Sequence, residues 1–208
     1  VDTIVKAKVS LTSFIDFMIT PDAQKVRKVR EIKNFQYTRG RDYWLSLREC
    51  LIDVHSSGDI SLLDDLLKNT PKNRYNNYKT AIKGYHKFFK GIKELDWFDP
   101  PKGAWSFDNF ACSVNPELGL YINGIPHLVK LYFKEDTTSA EIILHKARVS
   151  TIGYLMDEAL RERCPSGTRM AVLNVKKGQL IIPEVAGQDT WIALKASVRH
   201  FMDIWDEV

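Results

Sequence analysis

Cysteine is scarce: the 208 residues include three, Cys50, Cys112 and Cys164. They are far apart, odd in number and in no C-x-x-C arrangement, so neither a disulfide framework nor a zinc site is indicated, and buried thiols in a cytoplasmic protein are expected. Long apolar runs are missing too. The longest, such as residues 10–19, are too short and interrupted to span a bilayer, so no membrane partner is expected. No signal peptide is visible at Val1, although a start without Met leaves open that upstream residues were removed. There is no P-loop, no G-x-G-x-x-G and no G-x-S-x-G, which argues against ordinary nucleotide-binding and α/β-hydrolase chemistry. The histidines, His55, His86, His127, His145 and His200, show no H-x-x-x-H or H-E-x-x-H spacing. Internal repeats and low-complexity segments are absent.

What is present is an ordinary globular composition, 44% hydrophobic and 27% charged, in a chain long enough for one large or two small domains. The net charge of +4 conceals an asymmetry: residues 1–100 hold 18 Lys and Arg against 13 Asp and Glu, and residues 101–208 hold 12 against 13. The basic character belongs to the first half.

That first half reads as helical. Ser10 and its neighbours offer N-caps for a short helix with Leu11, Phe14, Ile15 and Met18 on one face, which Pro21 ends. Further helices are expected over residues 22–35, 42–54, 60–67 and 73–92, the last with Thr70 as cap and Pro71 in the first turn. Within it Tyr75, Tyr78, Ile82, Tyr85 and Phe89 form one stripe, expected to be core, and Lys79, Lys83, Lys87 and Lys90 recur on a different face. Nine basic residues, His86 among them, and no acidic one lie between Lys68 and Lys93. A second basic stretch, residues 25–41, carries Lys25, Arg27, Lys28, Arg30, Lys33, Arg39 and Arg41 against one acid. Together these seven cations and the four lysines are the candidate nucleic-acid surface, expected to contact phosphates with little sequence specificity and without preference legible between DNA and RNA.

The pair Pro100-Pro101 marks a boundary, separating a basic helical region, 1–98, from a sheet domain, 104–208, although the two could share one core. Beyond it the pattern is β-β-β-α-β-β-α: strands over 105–114, 117–122 and 125–133, a long helix opened by the capping box Thr138-Ser139-Ala140-Glu141, strands over 170–175 and 179–183, and a final helix from about Asp189. The fold class is therefore α+β, a helical bundle followed by a mixed sheet flanked by helices.

The hairpin within residues 111–134 carries the most information. Asn123-Gly124 specifies a two-residue type I′ loop with φ > 0 at both positions. Pairing Ile122 with Ile125 then opposes Leu120 to His127, Leu118 to Val129 and Glu117 to Lys130. One face, with Leu118, Leu120, Ile122, Ile125, His127, Val129, Leu131 and Phe133, belongs in a core, where His127 is a satisfied core histidine. The other, with Glu117, Gly119, Tyr121, Leu128, Lys130, Tyr132 and Lys134, is expected to be the more polar surface. Gly119 reads as a packing glycine.

An acid on the first strand of a hairpin, a lysine on the second, and helices before and after together resemble the core of the PD-(D/E)XK nuclease superfamily, over roughly residues 73–175. The resemblance implies a metal-dependent nuclease in which Glu117 helps hold Mg²⁺ and Lys130 positions water or stabilises developing charge. The family's acid-x-Lys is here Leu128-Val129-Lys130, so the second acid is missing, with Glu141 or Asp108 as migrated substitutes. The same run, Asn-Pro-Glu-Leu-Gly-Leu through Lys-Leu-Tyr-Phe-Lys, also resembles bacterial proteins of no assigned function. The reading is a nucleic-acid-binding protein whose nuclease-like sheet is active or only binds. The alternative is a protein-interaction module, an oligomer or a subunit of a larger assembly, with Tyr121, Leu128 and Tyr132 as an exposed contact patch.

Overall fold

A computed structural model describes residues 4–133, 139–184 and 187–208, with backbone alone for 139–147. The class is α+β, and the order of elements is β1 (Ala7–Ser10), α1 (Leu11–Ile19), α2 (Asp22–Lys33), α3 (Leu45–Ser57), α4 (Leu62–Lys68), α5 (Lys72–Lys90), β2 (Leu95–Phe98), β3 (Gly103–Phe107), β4 (Phe110–Val114), β5 (Leu118–Ile122), β6 (Ile125–Tyr132), α6 (Ser139–Leu160), β7 (Arg169–Asn174), β8 (Gln179–Ile181) and α7 (Gln188–Glu207). No helix among the described residues is long and apolar enough to cross a membrane.

Local chemistry sets most boundaries. The Ser10 hydroxyl caps α1 by accepting from the Ser13 N–H at 3.1 Å. Gly58, at φ 76°, closes α3 in the left-handed conformation. At the start of α5 the N-cap is Pro71, and the Thr70 hydroxyl instead donates to the Leu66 carbonyl at 2.7 Å, so the expected Thr70 cap is corrected: the hydroxyl is held by the preceding helix. The capping box Thr138–Glu141, with Lys134, lies outside the residues whose side chains are described.

The strands form two sheets, β1-β4-β3 and β2-β5-β6-β7-β8. The hairpin register is as expected at every pair, from Ile122 against Ile125 to Leu118 against Val129, and Asn123 and Gly124 take φ 49° and 78°. The Asn123 side chain also accepts from the Lys93 and Glu94 N–H groups, at 3.3 and 3.2 Å, tying the turn to the entry of β2. After the hairpin, α6 crosses over so that β7 pairs parallel to β6. Three strand expectations are revised. Residues 105–114 are two antiparallel strands, β3 and β4, folded at Asp108, whose φ of 51° suits a turn. The first half contributes β1, parallel to β4, and β2, the edge of the large sheet.

The five-stranded sheet is buried on both faces. Leu128, Met170 and Val172 face a core shared with β1, α1, α2, β3, β4, α6 and α7. Leu118, Leu120, Val129, Leu131, Ala171 and Leu173 face a second core shared with α3, α4 and α5. Both cores draw on both halves of the chain, and residues 99–102 link an edge strand of one sheet to an edge strand of the other. The expected polar face is thereby corrected: Leu128 has no exposure and Tyr132 is half-buried, because α6 and the small sheet cover that side. The contact patch of Tyr121, Leu128 and Tyr132 is not an exposed one.

Candidate nucleic-acid interface and the Glu117–Lys130 pair

Pro116 has no N–H to donate to a ladder, and the pairing of β5 with β6 ends at Leu118 against Val129, one step short of Leu131. Glu117 fills the gap. Its N–H donates to the Val129 carbonyl at 3.1 Å, Oε2 accepts from the Leu131 N–H at 2.9 Å, and Oε1 accepts from Lys130 Nζ at 2.6 Å. Lys130 also donates to the Asn115 carbonyl at 3.2 Å, just past β4, and so clamps the small sheet to the large one. The two side chains are only 13% and 14% exposed. Further along the same face, Arg148 of α6 donates from Nη1 to Tyr132 Oη at 2.7 Å.

Both charged groups of the pair are engaged in structural contacts. Both carboxylate oxygens already serve N–H donors, whereas Mg²⁺ wants carboxylate oxygens with open positions for water and phosphate. No group of three or more His, Cys, Asp or Glu that could hold a metal occurs among the described residues. Leu128, at the position of the missing acid, lies in the apolar core. Asp108 sits at the far end of β4 from Asn115, roughly 20 Å away along an extended chain. The Glu141 side chain lies outside the described residues. The residues described do not fit the Mg²⁺ that the resemblance implies.

The basic residues separate into two groups. Helix α5 buries Tyr78, Ala81, Ile82, Gly84, Tyr85 and Phe88. Gly84 lets its backbone rest on the β7–β8 turn, since a Cβ there would stand 2.2 Å from the Val175 carbonyl oxygen, and one at Gly178 would stand 2.2 Å from that of Gly84. This contact fixes which face of α5 meets solvent. On that face Lys79, Lys83, Lys87 and Lys90 are exposed, and none forms an ion pair with a carboxylate among the described residues. Tyr75, expected in the core stripe, heads this face instead: it is 38% exposed, with Lys79 Nζ 5.9 Å from its ring centre. As the residue four before Lys79, it lies on the border of the two stripes.

Helix α2 behaves differently. Lys25 pairs with Asp22 at 3.0 Å, Arg27 with Glu31 at 3.5 Å, and Lys28 with Asp16 at 3.7 Å. Lys33 donates to the Trp205 carbonyl at 2.8 Å, and Arg39 pairs with Glu49 at 2.8 Å. Arg30 and Arg41 are exposed without an ion pair among the described residues. Because Val29 packs into one core and the buried face of α5 into the other, the two helices lie on opposite sides of the large sheet. The single surface expected from both helices is thus not formed; among the α2 cations Lys25, Arg27 and Lys28 are paired with carboxylates and Lys33 bonds the end of α7.

The remaining candidates are quiet chemically. Burial pushes the Cys50 thiol up to about 11 and Cys112 to about 12, and raises Cys164, so none is poised as a thiolate. His127 is 4% exposed, its Nδ1 is 2.8 Å from the Ile125 carbonyl oxygen, and burial lowers its pKa, as a core histidine requires. Gly119 packs against Phe98, whose carbonyl oxygen would stand 2.3 Å from a Cβ. The chain matches no family model, and a search of curated proteins finds no relative.

Proposed function

We propose that the protein binds nucleic acid through the lysine face of α5, with little sequence readout, and that its nuclease-like sheet is a scaffold that does not cleave. The observation that carries this is the line Lys79, Lys83, Lys87 and Lys90, exposed and without carboxylate partners among the described residues. Four unneutralised charges over about 16 Å of helix repel one another unless an anion approaches. A phosphate backbone relieves that repulsion and releases counterions as it binds. The helix α5, the β5–β6 hairpin with its acid and lysine, and α6 follow one another in the order the nuclease resemblance implies. That supports the kinship of the sheet, while the engaged carboxylate of Glu117 supports its being inactive. Three free thiols suit a reducing compartment such as the cytoplasm.

The test is fluorescence anisotropy with labelled duplex and single-stranded oligonucleotides at several salt concentrations, with and without Mg²⁺, while the oligonucleotides are checked for cleavage. If all four lysines contact phosphate, log K falls against log salt with a slope of about −3.6 on duplex, and Lys83→Ala and Lys87→Ala each remove about 0.9 of it. No binding at low salt refutes the interface. Mg²⁺-dependent cleavage that Lys130→Ala abolishes refutes the scaffold assignment.

A further inference from the structure

Residues 33–41, from the last residue of α2 towards α3, are exposed at nine consecutive positions, and every second position from 35 is aromatic or basic: Phe35, Tyr37, Arg39, Arg41 and, next in step and half-buried, Tyr43. Phe35 is 59% exposed and Tyr37 58%, among the largest exposures of any apolar side chain described. Leaving such rings in water gains nothing for folding.

The later end of the segment, at Gly40 and Tyr43, is nonetheless held against α5. Arg74 of α5 donates to the Tyr43 carbonyl at 3.1 Å and the Gly40 carbonyl at 3.4 Å, and its guanidinium stands 4.9 Å from the centre of the Tyr43 ring. Tyr78 Oη donates to the same Tyr43 carbonyl at 2.7 Å. The residue after Arg74 is Tyr75, which heads the lysine face. The local acids are paired, Asp42 with Arg48 and Glu49 with Arg39, and exposed Arg41 has no ion pair among the described residues, so the surface keeps a positive charge.

We infer that the partner of this surface is single-stranded nucleic acid, whose unpaired bases stack on Phe35, Tyr37 and Tyr75 while its phosphates follow the α5 lysines. The inference rests on the nucleic-acid reading above and specifies its substrate class. In a duplex the base faces are occupied by neighbouring bases, so exposed rings beside a phosphate-binding face have work to do only on an unpaired strand. Because every base has a π-face, such stacking needs no base-edge readout, which agrees with a lysine surface that carries none.

The test compares the full chain with the double variant Phe35→Ala/Tyr37→Ala, using labelled single-stranded and duplex oligonucleotides of equal length across a salt series. Both rings are exposed, so the variant folds, which its circular dichroism melt checks. The expected result is tighter binding of the single strand and its loss by roughly 5- to 150-fold for each ring that stacks, with the salt slope and the duplex affinity unchanged. Tyr37→Phe, which keeps the ring, binds like the parent. Equal affinity for both oligonucleotides, with no effect of the double variant, overturns the inference and leaves the lysine face standing. A variant that weakens both oligonucleotides alike also overturns it. Failure of the parent to bind either at low salt overturns both readings.

Discussion

His55 makes the stability of this protein depend on pH in a way that can be worked through. It lies on α3 with its ring stacked on Trp97, 6.2 Å between centres and 8° between planes, and edge-on to Tyr85 at 5.8 Å. Its Nε2 shares a hydrogen bond with the hydroxyl of Tyr85, which is fully buried. Burial pushes the imidazole pKa down to about 4. An unfolded histidine titrates near 6.5, so between these values the unfolded chain binds a proton that the folded chain refuses. Stability is therefore intact above about pH 6.5 and falls as the pH drops towards 4, by about 2.5 kcal/mol at pH 4.5. Urea unfolding at pH 7.5 and pH 4.5 measures the loss. Carboxylates also titrate in this window, so the comparison is with His55→Phe/Tyr85→Phe, which removes the titrating ring without stranding the buried hydroxyl. The double variant should lose about 2.5 kcal/mol less than the parent on acidification. Equal losses would refute a buried neutral His55.

Two other perturbations probe the scaffold beneath the site. Glu117→Ala strands the Lys130 ammonium and the Leu131 N–H together, and should cost about 3 kcal/mol by chemical denaturation, whereas Glu117→Gln, which can still accept from the N–H, should cost less; indistinguishable variants would show that the charge is irrelevant. Gly84→Ala drives a methyl onto the Val175 carbonyl oxygen, which is backbone and cannot step aside, and should cost about 1–3 kcal/mol or more, with a lowered melting temperature; a neutral effect would mean that α5 stands off the β7–β8 turn.

The parts legible in the sequence are those decided within a few residues. Asn123-Gly124 carries its own turn geometry, and with the turn in place the register of β5 against β6 follows by counting. The faces of α7 follow in the same way, with Leu194, Val198, Phe201 and Met202 buried at helical spacing. The lysine stripe of α5 was equally readable, since its residues are one turn apart. The strands β1 and β2 were not. Each is four residues long, and the ladder of β1 joins Ala7 to Phe110 and Lys8 to Ala111, across a separation that no local pattern records.

The candidate site divides along the same line. Opposition of Glu117 and Lys130 was visible from the hairpin alone, but their burial, the capture of the Leu131 N–H and the clamp on Asn115 depend on a second sheet laid over that face. Two basic helices were likewise evident from composition, yet their placement on opposite sides of the large sheet was not. Helical period, turn chemistry and strand alternation are properties of neighbouring residues, and for that reason they can be read along the chain. Which layer covers which face depends on apolar surfaces far apart in the chain finding one another, and that is how Leu128 comes to be core, Lys28 to pair with Asp16 of α1, Lys33 to bond the end of α7, and Tyr75 to join the lysines in solvent.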